Sequence, residues 1–310
     1  AFTGLSTQEY SFSADKALES PKRKKLMKHT LFIAEVSSNH HRDLERCFDF
    51  IASAAAIGCD AVKFQLFKID QLFAPEILEK SEMHRKRKDW ELPVSFLPQL
   101  KRCCDSHGIA FSCTPFYLDA VKELEPYVDF YKIASYELLW DELLIACAKT
   151  GKPVVISAGM ANFDEVDHAI SVLKDSGCRD ITLLHCVSAY PTPKSDCNLA
   201  VIGAFRERYG VKVGWSDHSV SAAVIRRAVG RWQADCVEFH IDLDEQGAEY
   251  AAGHCWLPQQ MQPVIAECRE AELIDGQSDK LLAPSEAPDR DWRADPSDGL
   301  RPLKHMRQLR

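Results

Sequence analysis

No apolar run among the 310 residues approaches the roughly 20 that a membrane span requires. The first residues also lack the charged start and apolar core of a secretory signal. The expectation is therefore a cytoplasmic protein with no membrane partner. Positive charge is in deficit: the formal net charge of −8 argues against general nucleic-acid binding. An anionic substrate would then need a local cluster of lysines. CxxC pairs are absent, which removes the usual zinc spacing. The twelve cysteines are scattered, and Cys47, Cys59, Cys113, Cys147 and Cys186 sit in apolar segments where a free thiol acts as a small hydrophobe. Reduced, structural cysteines fit the cytosol.

Residues 1–29 are mostly polar and end in the basic run PKRKKLMKH, which reads as an N-terminal extension or barrel cap. Eight short apolar or β-branched runs follow, at 31–36, 60–65, 109–113, 129–135, 153–159, 180–186, 211–216 and 235–240. Nearly continuous apolar character without polar alternation marks buried parallel strands. Amphipathic segments lie between them. In 43–57, Leu44, Cys47, Phe48, Ile51 and Ala55 share one helix face, and 163–176 repeats the pattern with Val166, Ile170 and Leu173 before Gly177. Strand–helix alternation of this kind predicts an α/β protein, a (β/α)8 TIM barrel over residues 30–275, with a doubly wound open sheet as the rival. Residues 276–310, rich in Asp, Pro, Arg and Ser, read as an extended, irregular tail.

Chemistry in such a barrel gathers at the C-terminal strand ends. Glu35, Lys63 with Gln65, Thr114, Lys132 with Ser135, Ser157, and His185 with Ser188 fall there on the first six runs. Ser216, Asp217 and His218 close the seventh, and Glu238 with His240 closes the eighth. A lysine inside an apolar strand needs an anionic partner. Lys63 and Lys132 could form internal salt bridges to residues such as Glu35 or Glu137, or with the nearby hydroxyls cradle a phosphate and a carboxylate. His218 and His240, on consecutive strand ends, are placed to converge on one metal. Two imidazoles with oxygen ligands suit manganese, iron, cobalt or magnesium better than a closed structural zinc site.

The stretches IAEVSSNHHRDLERC, DAVKFQ, SCTPF, KIAS, TGKPVVISAGM, LLHCVSAYP and GWSDHS resemble, in unbroken order over about 31–244, the motifs of the sialic acid synthase family. The resemblance implies a metal-dependent condensation of phosphoenolpyruvate with a sugar aldehyde such as N-acetylmannosamine, giving a 2-keto-3-deoxy sugar acid and phosphate. Carried over by motif, Lys63, Thr114, Lys132, Ser135, Ser157, Ser188 and Ser216 are the implied phosphoenolpyruvate contacts, and His218 and His240 the implied metal ligands. Glu35 matches an acidic residue near the reacting carbons, Glu137 one that touches the acceptor, and Tyr190 a residue of the same loop. Glu35, Lys63, Lys132 and Asp217 are the catalytic candidates, with Gln65 among the substrate contacts. Mn2+ is the expected ion, with Mg2+ or Co2+ as alternatives.

Departures fall on the acceptor side. EFHIDLD stands where the family has EKHFTLD, so Phe239 replaces a lysine. GAE replaces GPD, making Glu249 a substitute for an aspartate, and the longer AAGHCWLP brings in His254 and Trp256. No antifreeze-like domain follows the barrel in this sequence, so acceptor recognition is expected from 247–256, the tail or 84–90. A homo-oligomer is compatible with this, though not by exchange of that domain. Two other readings are a barrel aldolase using Lys63 or Lys132 as a Schiff-base amine, and a non-catalytic phosphoenolpyruvate-binding barrel.

Overall fold

The computed structural model describes residues 29–276 and 278–307, so the extension expected over residues 1–29 lies, apart from His29, outside them. Eight strands follow one another in sheet order, each parallel to the next: β1 (Leu31–Glu35), β2 (Ala61–Leu66), β3 (Ala110–Pro115), β4 (Phe130–Ile133), β5 (Val154–Ser157), β6 (Ile181–Cys186), β7 (Lys212–Asp217) and β8 (Cys236–Ile241). β8 pairs back with β1, from Leu31 opposite Cys236 to Glu35 opposite His240. That pairing closes the sheet and excludes the doubly wound alternative, whose edge strands have no mutual partner.

Side chains alternate across a strand, so every second residue points into the barrel. Ile33, Ala61, Val155, Leu184 and Cys236 form an apolar cluster of their own, with Ala110 and Phe130 packed on it. Two residues further along the same strands stand Glu35, Lys63, Ser157, Cys186 and Glu238, with Ser112 and Lys132 beside them. The interior is thus apolar at its floor and polar at the C-terminal end. The opposite strand faces pack under the helices in the main core. At the floor, a Cβ on Gly214 would stand 2.1 Å from the Cys236 carbonyl oxygen, so no larger residue fits.

The helical layer includes Leu44–Ala56, Leu97–His107, Asp141–Lys149, Phe163–Asp175 and Ala222–Gly230. Asp43 caps the first by accepting from Glu45 N and Arg46 N, and Asn162 with Glu165 makes a capping box on the fourth. A long helix, Pro258–Asp275, closes the barrel. Three features differ from the sequence reading. Short helical stretches occupy Ile69–Leu72, Pro75–Lys80, Glu82–Lys86 and Arg87–Trp90 between β2 and β3. A two-residue strand, β9 (Cys255–Trp256), adds to β8. The tail expected to be extended carries a 3-10 helix at Pro284–Trp292 and a turn of helix at Lys304–Arg307. Asp295 organises the latter part, accepting from Ser297 N and Oγ and from Lys304 N. Among the described residues no helix is long and apolar enough to cross a membrane.

Candidate active site

A cavity of about 870 Å³ opens at the C-terminal strand ends, large enough for two small substrates together. Lys63, Lys132, Ser157, Ser216 and Glu238 line its inner end. Both lysines are buried, and each meets a carboxylate: Lys63 Nζ is ion-paired to Glu35 Oε2 and lies 3.9 Å from Glu238 Oε1, while Lys132 Nζ is 3.5 Å from Glu238 Oε1. Burial opposes the charge on Lys63, but Glu238 and Glu35 outweigh it and hold the ammonium above its ordinary range. Burial wins at Lys132, where Glu238 only partly offsets it and Lys63 adds repulsion, so that amine is held below its ordinary range. Glu238 is held low by both lysines against its own burial. Salt bridging and anion cradling are therefore not exclusive here: Lys132 donates only to the Ile133 carbonyl, at 3.3 Å, and keeps N–H groups for the cavity it lines. Among the described residues, Ser157 Oγ and Glu238 Oε2 are buried without a protein hydrogen-bond partner.

Gly159 brings two of the predicted hydroxyls together. Its N–H donates to Ser135 Oγ at 2.9 Å, and an added Cβ would stand 2.3 Å from Ser188 Oγ and 2.7 Å from Ser135 Oγ. Thr114 sits behind the cavity wall, accepting from Lys63 Nζ at 3.2 Å. Glu35 is fully buried and meets the cavity through its neighbours, Lys63 and Gln65, whose Nε2 donates to it at 2.7 Å. Glu137 lines the cavity, and burial raises its carboxyl to about 7, with Lys132 pulling the other way.

At the other end the predicted His218, His240, Glu249, His254 and Tyr190 come together. His218 turns Nδ1 to the Val187 carbonyl at 3.0 Å, leaving Nε2 for a ligand, as metal-binding imidazoles commonly do. Burial and the neighbouring His240 push its pKa down to about 3, so the ring is neutral. His240 Nδ1 lies 2.8 Å from Glu249 Oε2, and Ser37 and Ser38 hydroxyls donate to Glu249 Oε1. Arg46, paired to Asp242 and Asp244, and Asn39, donating to the Ile241 carbonyl at 2.9 Å, tether the loop that carries Glu249. The NHHRDLER stretch therefore holds the end of β8 rather than entering the cavity.

Asp217 corrects the sequence reading. It follows Ser216 on β7, so it faces the helix layer, where it is fully buried. Its oxygens accept from Trp215 Nε1 and Trp256 Nε1, each at 3.0 Å, and from Ser219 and Val220. It does not line the cavity, and its bonds make it an anchor between β7 and the strand after the barrel. His185 likewise faces outward, bonded to the Cys197 carbonyl at 2.9 Å. Sequence reasoning undervalued Glu238, although its place two residues before His240 on one strand puts both on the same face. It also did not single out Cys186, Ser37, Ser38 or Gly159. Over the mouth, Phe73, His84, Arg87 and Trp90 come from the β2–β3 insertion, with the Arg87 guanidinium 5.5 Å from the Phe73 ring and 5.4 Å from Trp90.

Fold and cavity together define a closed (β/α)8 barrel with its polar site at the C-terminal strand ends, the arrangement of barrel enzymes. A family profile described as NeuB family matches residues 50–280. The chain is 36% identical over 264 residues to an uncharacterized protein, MJ1065, of Methanocaldococcus jannaschii, covering 83% of this chain and 75% of that one. It is 31% identical over 275 residues to N,N'-diacetyllegionaminic acid synthase of Campylobacter jejuni, covering 84% and 81%. Among solved structures, N-acetylneuraminic acid (sialic acid) synthetase of Leptospira borgpetersenii superposes with a TM-score of 0.74 at 28% identity, over 84% of this chain and 90% of that one. The chain belongs to the NeuB family.

Proposed function

We propose that this protein condenses phosphoenolpyruvate with an N-acetylmannosamine-like amino-sugar aldehyde, forming a 2-keto-3-deoxy sugar acid and inorganic phosphate. The observation that carries the reading is the gathering of Lys63, Lys132, Ser157 and Ser216 with His218 and His240 in one cavity. The relatives named for legionaminic and sialic acid synthesis support the acceptor class. A donor anion with both phosphate and carboxylate matches two ammonium groups flanked by hydroxyls. C3 of phosphoenolpyruvate bonds to the aldehyde carbon, whose oxygen takes a proton. Water adds at C2 with loss of one proton, and the C2–O bond to the phosphate then breaks as the new hydroxyl passes its remaining proton to the departing phosphate, leaving the C2 ketone.

Glu137, held up to about 7, retains a proton near neutrality and is the donor to the aldehyde oxygen. Glu238 faces the cavity with Oε2 unpartnered and orients the water, while Glu35 fixes Lys63 and Gln65. The neutral His218 and the adjacent His240 fit a divalent cation, manganese first, with magnesium or cobalt as alternatives. Such an ion would supply Lewis acidity toward the aldehyde oxygen. Phosphoenolpyruvate as donor and the free thiols of Cys47, Cys59, Cys113, Cys147 and Cys186 suit a cytoplasmic enzyme.

The test is phosphate release from phosphoenolpyruvate with Mn2+ and a panel of amino sugars and aldoses, with mass spectrometry of the products. Absence of phosphate release with every member of the panel rejects the reading. The depressed Lys132 amine is the one observation that favours a Schiff-base aldolase instead, and borohydride trapping of a carbonyl substrate on Lys132 would establish it.

A further inference from the structure

His254 stands beside the histidine pair, and the two-histidine site implied by the family resemblance does not include it. Its ring centroid lies 5.1 Å from that of His240 and 6.4 Å from that of His218, while His218 and His240 are 5.3 Å apart. An imidazole bound at about 2.1 Å keeps its centroid about 3.2 Å from the ion, so two ligands of one ion lie within about 6.4 Å of each other. The two pairs that include His240 fall inside that limit, and His218 and His254 reach it only on opposite sides of the ion. His254 is 6% exposed, and its Nδ1 has no protein partner. A buried core histidine would ordinarily have both ring nitrogens satisfied. Glu249 Oε2 lies between the rings, 2.8 Å from His240 Nδ1 and 3.7 Å from His254 Nε2. His240, Glu249, His254 and Cys255 can each present a donor atom within 4.8 Å of the others, a group that holds His254 with His240 and that His218 adjoins through its ring contact with His240. The Tyr190 ring packs against His218 at 4.2 Å and His254 at 5.0 Å, closing one side of the cluster.

We propose that His254 is a third imidazole ligand, so that the divalent cation sits in a three-histidine centre with the Glu249 carboxylate alongside. This rests on the reading of His218 and His240 as metal-holding residues. The loop 247–254 delivers the third ring, and its entry is fixed because a Cβ on Gly247 would stand 2.4 Å from Asn39 Oδ1. Three imidazoles select manganese, iron, cobalt or zinc over magnesium, which prefers oxygen ligands and its own water. The ion is then retained by protein groups alone, before either substrate binds.

The full chain, stripped by a chelator, is titrated with Co2+ and separately with Mg2+, and a Cu2+-loaded sample is examined by pulsed electron paramagnetic resonance to count bound imidazoles. Wild type is expected to bind Co2+ far more tightly than Mg2+ and to show three imidazoles. His254→Ala is expected to bind Co2+ roughly 10–100-fold more weakly, on the scale of losses seen around metal sites, and to show two. Two imidazoles in wild type, or unchanged Co2+ affinity in folded His254→Ala, overturns the proposal. If His254→Ala fails to fold, the wild-type imidazole count decides alone. Three imidazoles without phosphate release from phosphoenolpyruvate would sink the proposed reaction and leave the centre standing. Phosphate release with two imidazoles would do the reverse.

Discussion

Trp256 donates its indole N–H to Asp217 Oδ2 at 3.0 Å, joining the strand after the barrel to the outward face of β7. Trp215 donates to the other oxygen of the same carboxylate. This buried carboxyl group anchors the far end of segment 247–256, and Arg46 and Asn39 tether its start, so that Glu249 and His254 are held over the barrel mouth.

Asp217→Ala leaves two buried indole N–H groups and the Ser219 and Val220 amides without their acceptor. At about 1–3 kcal/mol for each buried group left unsatisfied, the two indoles alone set a loss of roughly 2–6 kcal/mol. Urea denaturation of protein without metal or substrate should show that drop. An unchanged midpoint would contradict the anchoring role.

Lys132→Met removes one of two ammonium groups at the inner end of the cavity while keeping an unbranched apolar stem only one atom shorter. A hydrogen bond to a charged group contributes about 1.5–3 kcal/mol, so phosphoenolpyruvate binding should weaken by roughly 10–100-fold. Calorimetric titration with phosphoenolpyruvate measures this directly. Equal affinity in the variant would remove Lys132 from the donor site.

Glu137 gives a signed pH effect. Its carboxyl is raised by burial from 4.5 to about 7, so the folded protein keeps a proton that the unfolded chain releases. Stability from this group is therefore highest below 4.5 and falls as pH rises toward about 7, then levels off. Glu137→Gln lacks the titration. Relative to wild type, its denaturation midpoint should improve between about pH 5 and pH 8, and a constant difference across that range would refute the assignment.

Gly159→Ala places a methyl group against Ser135 Oγ and Ser188 Oγ. Overpacking of this kind costs about 1–3 kcal/mol. On the proposed reaction, phosphoenolpyruvate affinity should fall along with stability, and the two can be read separately by titration and by thermal denaturation. Wild-type affinity in the variant would separate these serines from the donor.

Much of this was legible in one dimension. Apolar runs at even intervals, with polar residues at their ends, located all eight strands to within a residue or two, because burial on both faces leaves no other composition for a parallel strand. Lys63, Lys132, His218 and His240 were legible for the same reason: each is chemically expensive where it stands. The β2–β3 insertion was not, since its helices are too short for periodicity to show, and β9 is only two residues long.

By itself, then, the sequence determined the barrel, the two buried lysines and the histidine pair, through local burial and strand period. Only the tertiary structure decided orientation and company. It turned Asp217 away from Ser216 by the alternation of one strand. It paired both lysines with Glu238 and brought His254 from beyond β8 to His218 and His240. Those facts depend on which side chains meet across strands far apart in the chain, and no local pattern encodes that.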